Sequence, residues 1–419
     1  MDTRLPDPPA ADHLGAEIMA RAEALGRLSE GGPGVTRRFC TKEHRAAIEL
    51  VQGWMRDAGM ATWIDAAGNT VGRYEGAEPG LPALLTGSHQ DTVRAGGRYD
   101  GMLGIIAPIS CIKALHRQDR RLPYAVEVIA FGDEEGVRFQ TTLLGSRAVA
   151  GTFDPSVLDR TDPDGITMRQ AMRDFGLDPE GIGKIARRPD QVLGFVELHI
   201  EQGPVLEAKN LPVGTVTAIA GCVRLAVRFE GEAGHAGTVP MDRRQDALAA
   251  AAEAVLAVER LAKAAPGLVA TVGRIEASPG AINVIPGAVA FSVDARAPDD
   301  KDRLALARRI EDELRAIAQR RGVRVAIDRT LDAKAAACAP RLMDRMDAAI
   351  RAEGIEPFRL FSGAGHDAMA MGALTEIAML FVRCERGISH NPAEMITAAD
   401  AGIAARVLLR FMEGFGKGN

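Results

Sequence analysis

A chain of 419 residues with 47% hydrophobic content is too long for one ordinary core and has apolar material for two. Its 51 basic and 56 acidic side chains leave a net charge of −5 with no long single-sign run. That balance excludes nucleic acid and anionic membrane as expected partners and suits a small polar substrate. The opening thirty residues lack an apolar signal core, and no apolar run is long enough to span a bilayer, so the expectation is a soluble, cytoplasmic protein. Cys40, Cys111, Cys222, Cys338 and Cys384 are scattered, with no CxxC pair, which argues against a disulfide framework and against a cysteine zinc knuckle. A metal here would need His, Asp and Glu ligands.

Leu14 to Leu28 and Glu43 to Ala58 have helical apolar spacing, each stopped by glycine. Ala61 to Asp65 and Thr70 to Tyr74 flank a turn at Ala67-Gly68-Asn69 and predict a hairpin. Pro82 to Thr86 reads as a buried strand and Met102 to Leu115 as a helix. Between them stand Gly87-Ser88-His89-Gln90-Asp91-Thr92 and Gly96-Gly97-Arg98-Tyr99-Asp100-Gly101. His89 and Asp91 point the same way if the strand continues, and the glycines permit a return that brings Asp100 beside them. Imidazole with carboxylate is ligand chemistry for zinc, or for manganese or cobalt where carboxylates are numerous. The bland alternative for this stretch is a polar loop at a strand end with one incidental histidine, and the rest of the chain decides between them.

The next strand, Tyr124 to Phe131, runs into Gly132-Asp133-Glu134-Glu135-Gly136. Adjacent residues leaving a strand point apart, so one glutamate can be a ligand while the other faces water as a general base. Ala150 to Gln191 reads as a polar connecting excursion with one helix, Thr167 to Phe175. Val192 to Gly203 is a third strand, carrying His199 near its end. Three strands each delivering a metal-type ligand at the same end make coincidence a poor explanation. Strands alternating with helices predict the α/β class: a catalytic domain with a mixed sheet covered by helices on both faces and a site at the strand tips.

From Val213 the order becomes β-α-β-β-α-β, the pattern of a ferredoxin-like α+β unit inserted into the first domain. The expected division is 1–212 and 331–419 for the catalytic domain and 213–330 for a lid and dimerisation domain. Three short motifs fall in the insert: Gly234-His235-Ala236-Gly237, Asn283-Val284-Ile285-Pro286 and Asp294-Ala295-Arg296. Each is weak alone. After Leu331 come a helix (Arg341 to Ala352), the loop Ser362-Gly363-Ala364-Gly365-His366-Asp367 and a strand (Glu376 to Val382). His390 follows that strand, before a closing helix that ends near Met412.

Of the eight histidines, His13, His44 and His116 fall on polar faces of predicted helices and receive no role. His89, His199, His235, His366 and His390 sit at strand ends or in loops. With Asp100, Glu134 and Glu135 they are enough for two metals about 3.5–4 Å apart with one bridging carboxylate. Two such ions bring the pKa of a shared water towards neutrality, and a spare carboxylate can carry its proton to a leaving nitrogen, which is chemistry that hydrolyses amides. Asp91 would orient the His89 imidazole from behind.

The strings GSHQDTV, GGRYDG, DEEGVRF, ELHIEQGPVLE, GHAGTVPM, NVIPG, SGAGHDA and GISHNPAE, in that order from Gly72 onward, resemble the amidase, hydantoinase and carbamoylase family of two-metal amidohydrolases. That family lies within the aminoacylase-like and carboxypeptidase-like metallopeptidases. The resemblance implies His89, Asp100, Glu135, His199 and His390 as metal ligands, with Asp100 bridging, and Glu134 as general base and acid. It implies that His235, from the lid of a partner subunit, stabilises the oxyanion, and that Asn283 and Arg296 bind a substrate carboxylate. Gln202 and Gly363-Ala364-Gly365 would line the pocket. DEEGVRFQTTLLGS, AGHDAMAMG and AMLFVRCERGISHNPAE are most similar to the allantoate amidohydrolases of that family, while carbamoyl-amino-acid hydrolases share the frame. The expectation is hydrolysis of a ureido group on a small carboxylate by a homodimer joined through 213–330. Each subunit would hold two divalent ions, manganese or zinc, with cobalt also compatible. A catalytically inactive ureido-acid binding protein is the rival from another class; Glu134 beside Glu135 speaks against it, since binding needs ligands but no proton shuttle.

Overall fold

The computed structural model describes residues 11–415, so the expectation of no signal core in the opening stretch falls partly outside the described residues. The chain divides into two compact units. Among the described residues, one comprises 11–217, 338–360 and 365–415, the other 218–337 and 361–364. No described helix is long and apolar enough to cross a membrane.

In the larger unit the sheet runs Ala61–Ile64, Thr70–Tyr74, Ala125–Phe131, Ala83–His89, Val192–Ile200, Ile377–Val382, Val213–Ile219. The four strands from Ala125–Phe131 to Ile377–Val382 are mutually parallel, and their neighbours on either side are antiparallel, so the sheet is mixed. Parallel strands in the middle of a sheet are covered on both faces, and these four are buried along nearly their whole length. On one face Val126, Val128, Val196, Leu198, Ala378 and Leu380 pack with residues of the helices Ala11–Gly26, Lys42–Asp57, Met102–Arg117, Pro340–Arg351 and Ala398–Phe415. The short helices Leu144–Val149 and Asp367–Met371 also pack on the sheet. Side chains alternate along a strand, so Phe195, Glu197 and His199 have the opposite parity to Val196, Leu198 and Ile200.

Local sequence explains the helices. Thr41 caps Lys42–Asp57 by accepting the His44 N–H, and Ala47, Ile48, Val51 and Met55 recur at helical spacing on its buried side. His44 is itself fully buried there, which corrects its assignment to a polar face: its ring lies between Phe39 and Phe175. The stretch 150–191 is more than a connector. Leu158, Met168, Met172 and Ile182 form a small core with Phe39, Phe139 and Leu144.

The smaller unit has an antiparallel sheet ordered Ile275–Ser278, Ala288–Ala297, Gly221–Glu230, Arg324–Ala333, with Val269–Thr271 also paired to Ala288–Ala297. Helices Ala247–Ala262 and Asp300–Arg321 bury Ala250, Ala254, Leu306, Ile310 and Leu314 against Val223, Leu225, Val227, Val289 and Phe291. The span Gly214 to Glu230, read as one strand, breaks after Ile219 into two strands in different sheets. The helix expected from Asp242 starts at Ala247, because the Asp246 carboxylate accepts the N–H groups of Leu248 and Ala249 and acts as the cap.

Candidate metal centre

The parallel strands end at one edge of the sheet, and this edge collects the site. His89 is the last residue of its strand and His199 the penultimate one of its strand. Glu134 and Glu135 follow Phe131, Asp100 lies between the His89 strand and the helix Met102–Arg117, and His390 follows Val382. The loops turn sharply here: Asp133, Gln202 and His390 all have left-handed backbones, at φ 46°, 57° and 53°, a conformation that costs energy for a non-glycine residue.

Asp100 sits at the centre. Its Oδ1 stands 3.5 Å from His89 Nε2 and 3.2 Å from His199 Nε2, and its Oδ2 stands 3.2 Å from His390 Nε2. His390 Nε2 is also 3.5 Å from Glu135 Oε1. Two sets of donors share this carboxylate: His89, Asp100 and His199 place ligand atoms within 4.8 Å of one another, and so do Asp100, Glu135 and His390. His89, Glu134 and Glu135 form a further such group, as do Glu197, His199 and His366.

The electrostatics match a cation site. Asp100 Oδ1 is buried and accepts no hydrogen bond, although two imidazole nitrogens face it. Burial alone would raise the Asp100 carboxyl, but His199, His390 and His89 hold it well below the ordinary carboxylate range. Burial holds Glu134 well above that range, opposed by His89 and reinforced by Glu135, Asp367 and Asp91. Glu135 is pushed up to about 7, again chiefly by burial. Carboxylates and imidazoles crowded together in a buried place with an unsatisfied acceptor at the centre are a donor set that fits divalent cations.

The residues behind this set were only partly foreseen. His89 Nδ1 lies 3.0 Å from the backbone carbonyl of Asp91 and 3.8 Å from its carboxylate, so the main chain, rather than the carboxylate expected from sequence, orients the ring. The Asp91 carboxylate instead accepts the N–H groups of Glu134 and Glu135 at 2.9 and 3.1 Å. Arg37, fully buried, donates its Nε to the Gln90 carbonyl at 2.7 Å and its N–H to Thr92 Oγ1 at 2.9 Å, fixing the same loop from below. Glu197 accepts the Ser88 hydroxyl at 2.6 Å and the Ala368 N–H at 2.8 Å, joining the His89 and His199 strands to the helix Asp367–Met371. His366 packs edge-on against His199 with ring centroids 4.4 Å apart, and burial, with His199 beside it, holds it well below the ordinary histidine range. Glu197 carried one available signal, an acidic residue in a buried strand whose only other polar side chain is His199.

Gln202 Nε2 lies 3.3 Å from Asp100 Oδ2 and 3.2 Å from Ser389 Oγ. Gly365 adjoins Glu134: a Cβ added there would stand 3.9 Å from its Oε1. Within the smaller unit, His235 pairs with Val284 across a two-stranded ladder, which brings Asn283 beside it; both are exposed. Arg296 grips Asp294 through Nε at 2.7 Å and Nη2 at 3.1 Å and donates Nη1 to the Gly363 carbonyl at 2.6 Å. Ala364 closes that turn on the Ser362 hydroxyl at 3.1 Å.

Residues 83–414 match the model of Peptidase family M20/M25/M40. The chain belongs to this family. Among M20 relatives, the allantoate deiminase of Arabidopsis thaliana is 43% identical over 95% of this chain and 82% of its own. The N-carbamoyl-L-amino acid amidohydrolase of Geobacillus stearothermophilus is 40% identical over 94% of this chain and 97% of its own. A crystal structure of a hydantoinase/carbamoylase-family amidase from Burkholderia multivorans superposes with a TM-score of 0.90 at 32% identity, covering 96% of this chain and 97% of that one. The clustered side chains, from His89 to His390, all lie within the matched residues 83–414.

Proposed function

We propose that this M20 hydrolase cleaves a ureido C–N bond of a small carboxylate, with allantoate as substrate and ureidoglycine, ammonia and carbon dioxide as products. The observation that carries the proposal is the convergence of His89 and His199 on one side, and Glu135 and His390 on the other, on the buried Asp100 carboxylate, with Glu134 grouped with His89 and Glu135. The relatives named allantoate deiminases supply the substrate.

His89 and His199 with Asp100 would hold one divalent ion, and Glu135 and His390 with the same Asp100 a second, manganese or zinc, with cobalt also compatible. Such ions, when bound, polarise a carbonyl and acidify water. Glu134 takes the proton of the water that adds to the ureido carbon and gives it to the departing nitrogen; the carbamate left behind then breaks its remaining C–N bond to release carbon dioxide and the second amine, so one water is consumed per ureido group. A carboxyl held above its ordinary range by burial is suited to both halves of that exchange. Arg296 and Asn283 are assigned to the substrate carboxylate and His235 to the developing oxyanion, where a donor counts most once water is excluded. Gln202 and the turn Gly363-Ala364-Gly365 complete the pocket. The working unit is a cytoplasmic homodimer joined through 213–330, each lid lending His235 to the other subunit; the five free cysteines agree with a reducing compartment.

An N-carbamoyl-L-amino acid is the second substrate to consider, because the Geobacillus stearothermophilus relative aligns over 97% of its own length. Steady-state kinetics of manganese-loaded protein on both compounds decide between them. A kcat/KM on allantoate well above that on carbamoyl amino acids is the expected result, and the reverse order overturns the assignment.

A further inference from the structure

We infer that Glu394 is a positioning residue for the metal centre, whose carboxylate clamps the segment carrying Asp100 to the segment carrying His390. Its Oε1 accepts the consecutive N–H groups of Tyr99 at 2.9 Å and Asp100 at 3.1 Å. Its Oε2 accepts the hydroxyl of Ser389, the residue before His390, at 2.9 Å. The side chain is buried, and it joins positions 294 residues apart in the chain.

The need for such a clamp follows from where the two partners sit. His89 and His199 lie within strands whose ladders fix their backbones, whereas Asp100 and His390 lie in loops. A carboxylate shared by two donor sets must keep both its oxygens aimed at once, and a small rotation of its backbone spoils both sets together. One acceptor oxygen, Oε1, takes both main-chain N–H groups, so the reach of this side chain, rather than its charge, lets it do the work of a missing ladder. Gly97 makes room for it: a Cβ at that position would lie 2.1 Å from Glu394 Oε1. Gly97 does not have a left-handed backbone, so the close approach, and not the conformation, calls for glycine there.

The inference rests on the proposed ligand roles of Asp100 and His390, and the test separates the two. Chelator-stripped wild type, Glu394→Asp and Glu394→Gln are titrated with Mn²⁺ by calorimetry in the absence of substrate. Asp keeps the charge but withdraws the oxygens by one methylene, while Gln keeps an acceptor oxygen at the same reach and loses the charge. The expected result is that Glu394→Asp weakens Mn²⁺ binding by about 10–100-fold while Glu394→Gln stays close to wild type. Gly97→Ala, which pushes the carboxylate aside from the other direction, should lose affinity as Glu394→Asp does. An Asp variant that binds like wild type overturns the clamp, and so does equal loss in the Asp and Gln variants, which would mark charge or general packing as the cause. Wild-type protein that takes up no Mn²⁺ removes the ligand assignment and the clamp with it.

Discussion

The Asp91 carboxylate accepts the backbone N–H of Glu134 at 2.9 Å, with its other oxygen on the next N–H, that of Glu135, at 3.1 Å. A residue two positions beyond one proposed ligand thus holds the main chain of both the proposed base and another ligand. An amide at position 91 has one acceptor oxygen and would turn its NH₂ towards the second N–H. Asp91→Asn is therefore expected to lower kcat by about 10–100-fold with a smaller change in KM. His89 leans on the Asp91 carbonyl rather than its carboxylate, so the ions should remain. Kinetics together with metal analysis check this; loss of metal in parallel with activity would mean that the carboxylate sets a ligand as well as the base, through Glu135 or through His89.

Glu134→Gln removes the proton carrier without shortening the side chain or touching the five proposed ligands. The expected outcome is a kcat lower by about two or more orders of magnitude, with metal content and substrate affinity retained. Metal analysis and equilibrium binding of substrate to the variant are the measurements, and near-wild-type turnover would displace Glu134 from its role.

The parts of the fold and site that could be read in advance share one physical property: their signals are local in the chain. The parallel strands were legible as apolar runs, and the ligands as polar residues interrupting the ends of those runs. His89, His199 and Glu134-Glu135 each stand out against the segment that precedes them. Glu394 and Arg37 do not, because their meaning comes from groups far away in sequence: main-chain N–H groups at 99 and 100 for one, carbonyls near 25 and 90 for the other. The break after Ile219 was hidden for a related reason. Both halves of Gly214 to Glu230 are strand-like, and only the partners they find assign them to different sheets.

If His235 serves the partner's site, two inactive variants should complement each other. Glu134→Gln and His235→Ala homodimers are each expected to be nearly inactive. Mixed and allowed to exchange subunits, they form heterodimers in which one site has both Glu134 and His235 intact, so activity should rise towards roughly a quarter of wild type. Recovery is read by assaying the mixture before and after dissociation and reassociation. A mixture that stays inactive although mass spectrometry shows heterodimers would confine His235 to its own subunit or remove it from catalysis.

His44 provides a pH dependence that lies away from the metal centre. Burial, helped by Arg37 and Arg45, lowers it from 6.5 to about 3, so it is neutral in the folded protein. Its Nδ1 accepts the Cys40 N–H at 3.1 Å, and its Nε2 is buried without a partner, so an added proton would break the one bond and strand a charge. For a histidine with a lowered folded pKa, the unfolded chain binds the extra proton. Nothing is lost above about pH 6.5, and as pH falls from there towards 3 the folded state loses about 1.4 kcal/mol per pH unit from this group. His44→Gln keeps an acceptor and does not titrate. Denaturant unfolding of both proteins at a series of pH values should show wild type losing stability more steeply than the variant below about pH 6.5, while the two run parallel above it. Parallel curves across the whole range would mean that His44 reaches water, and is protonated, in the folded state.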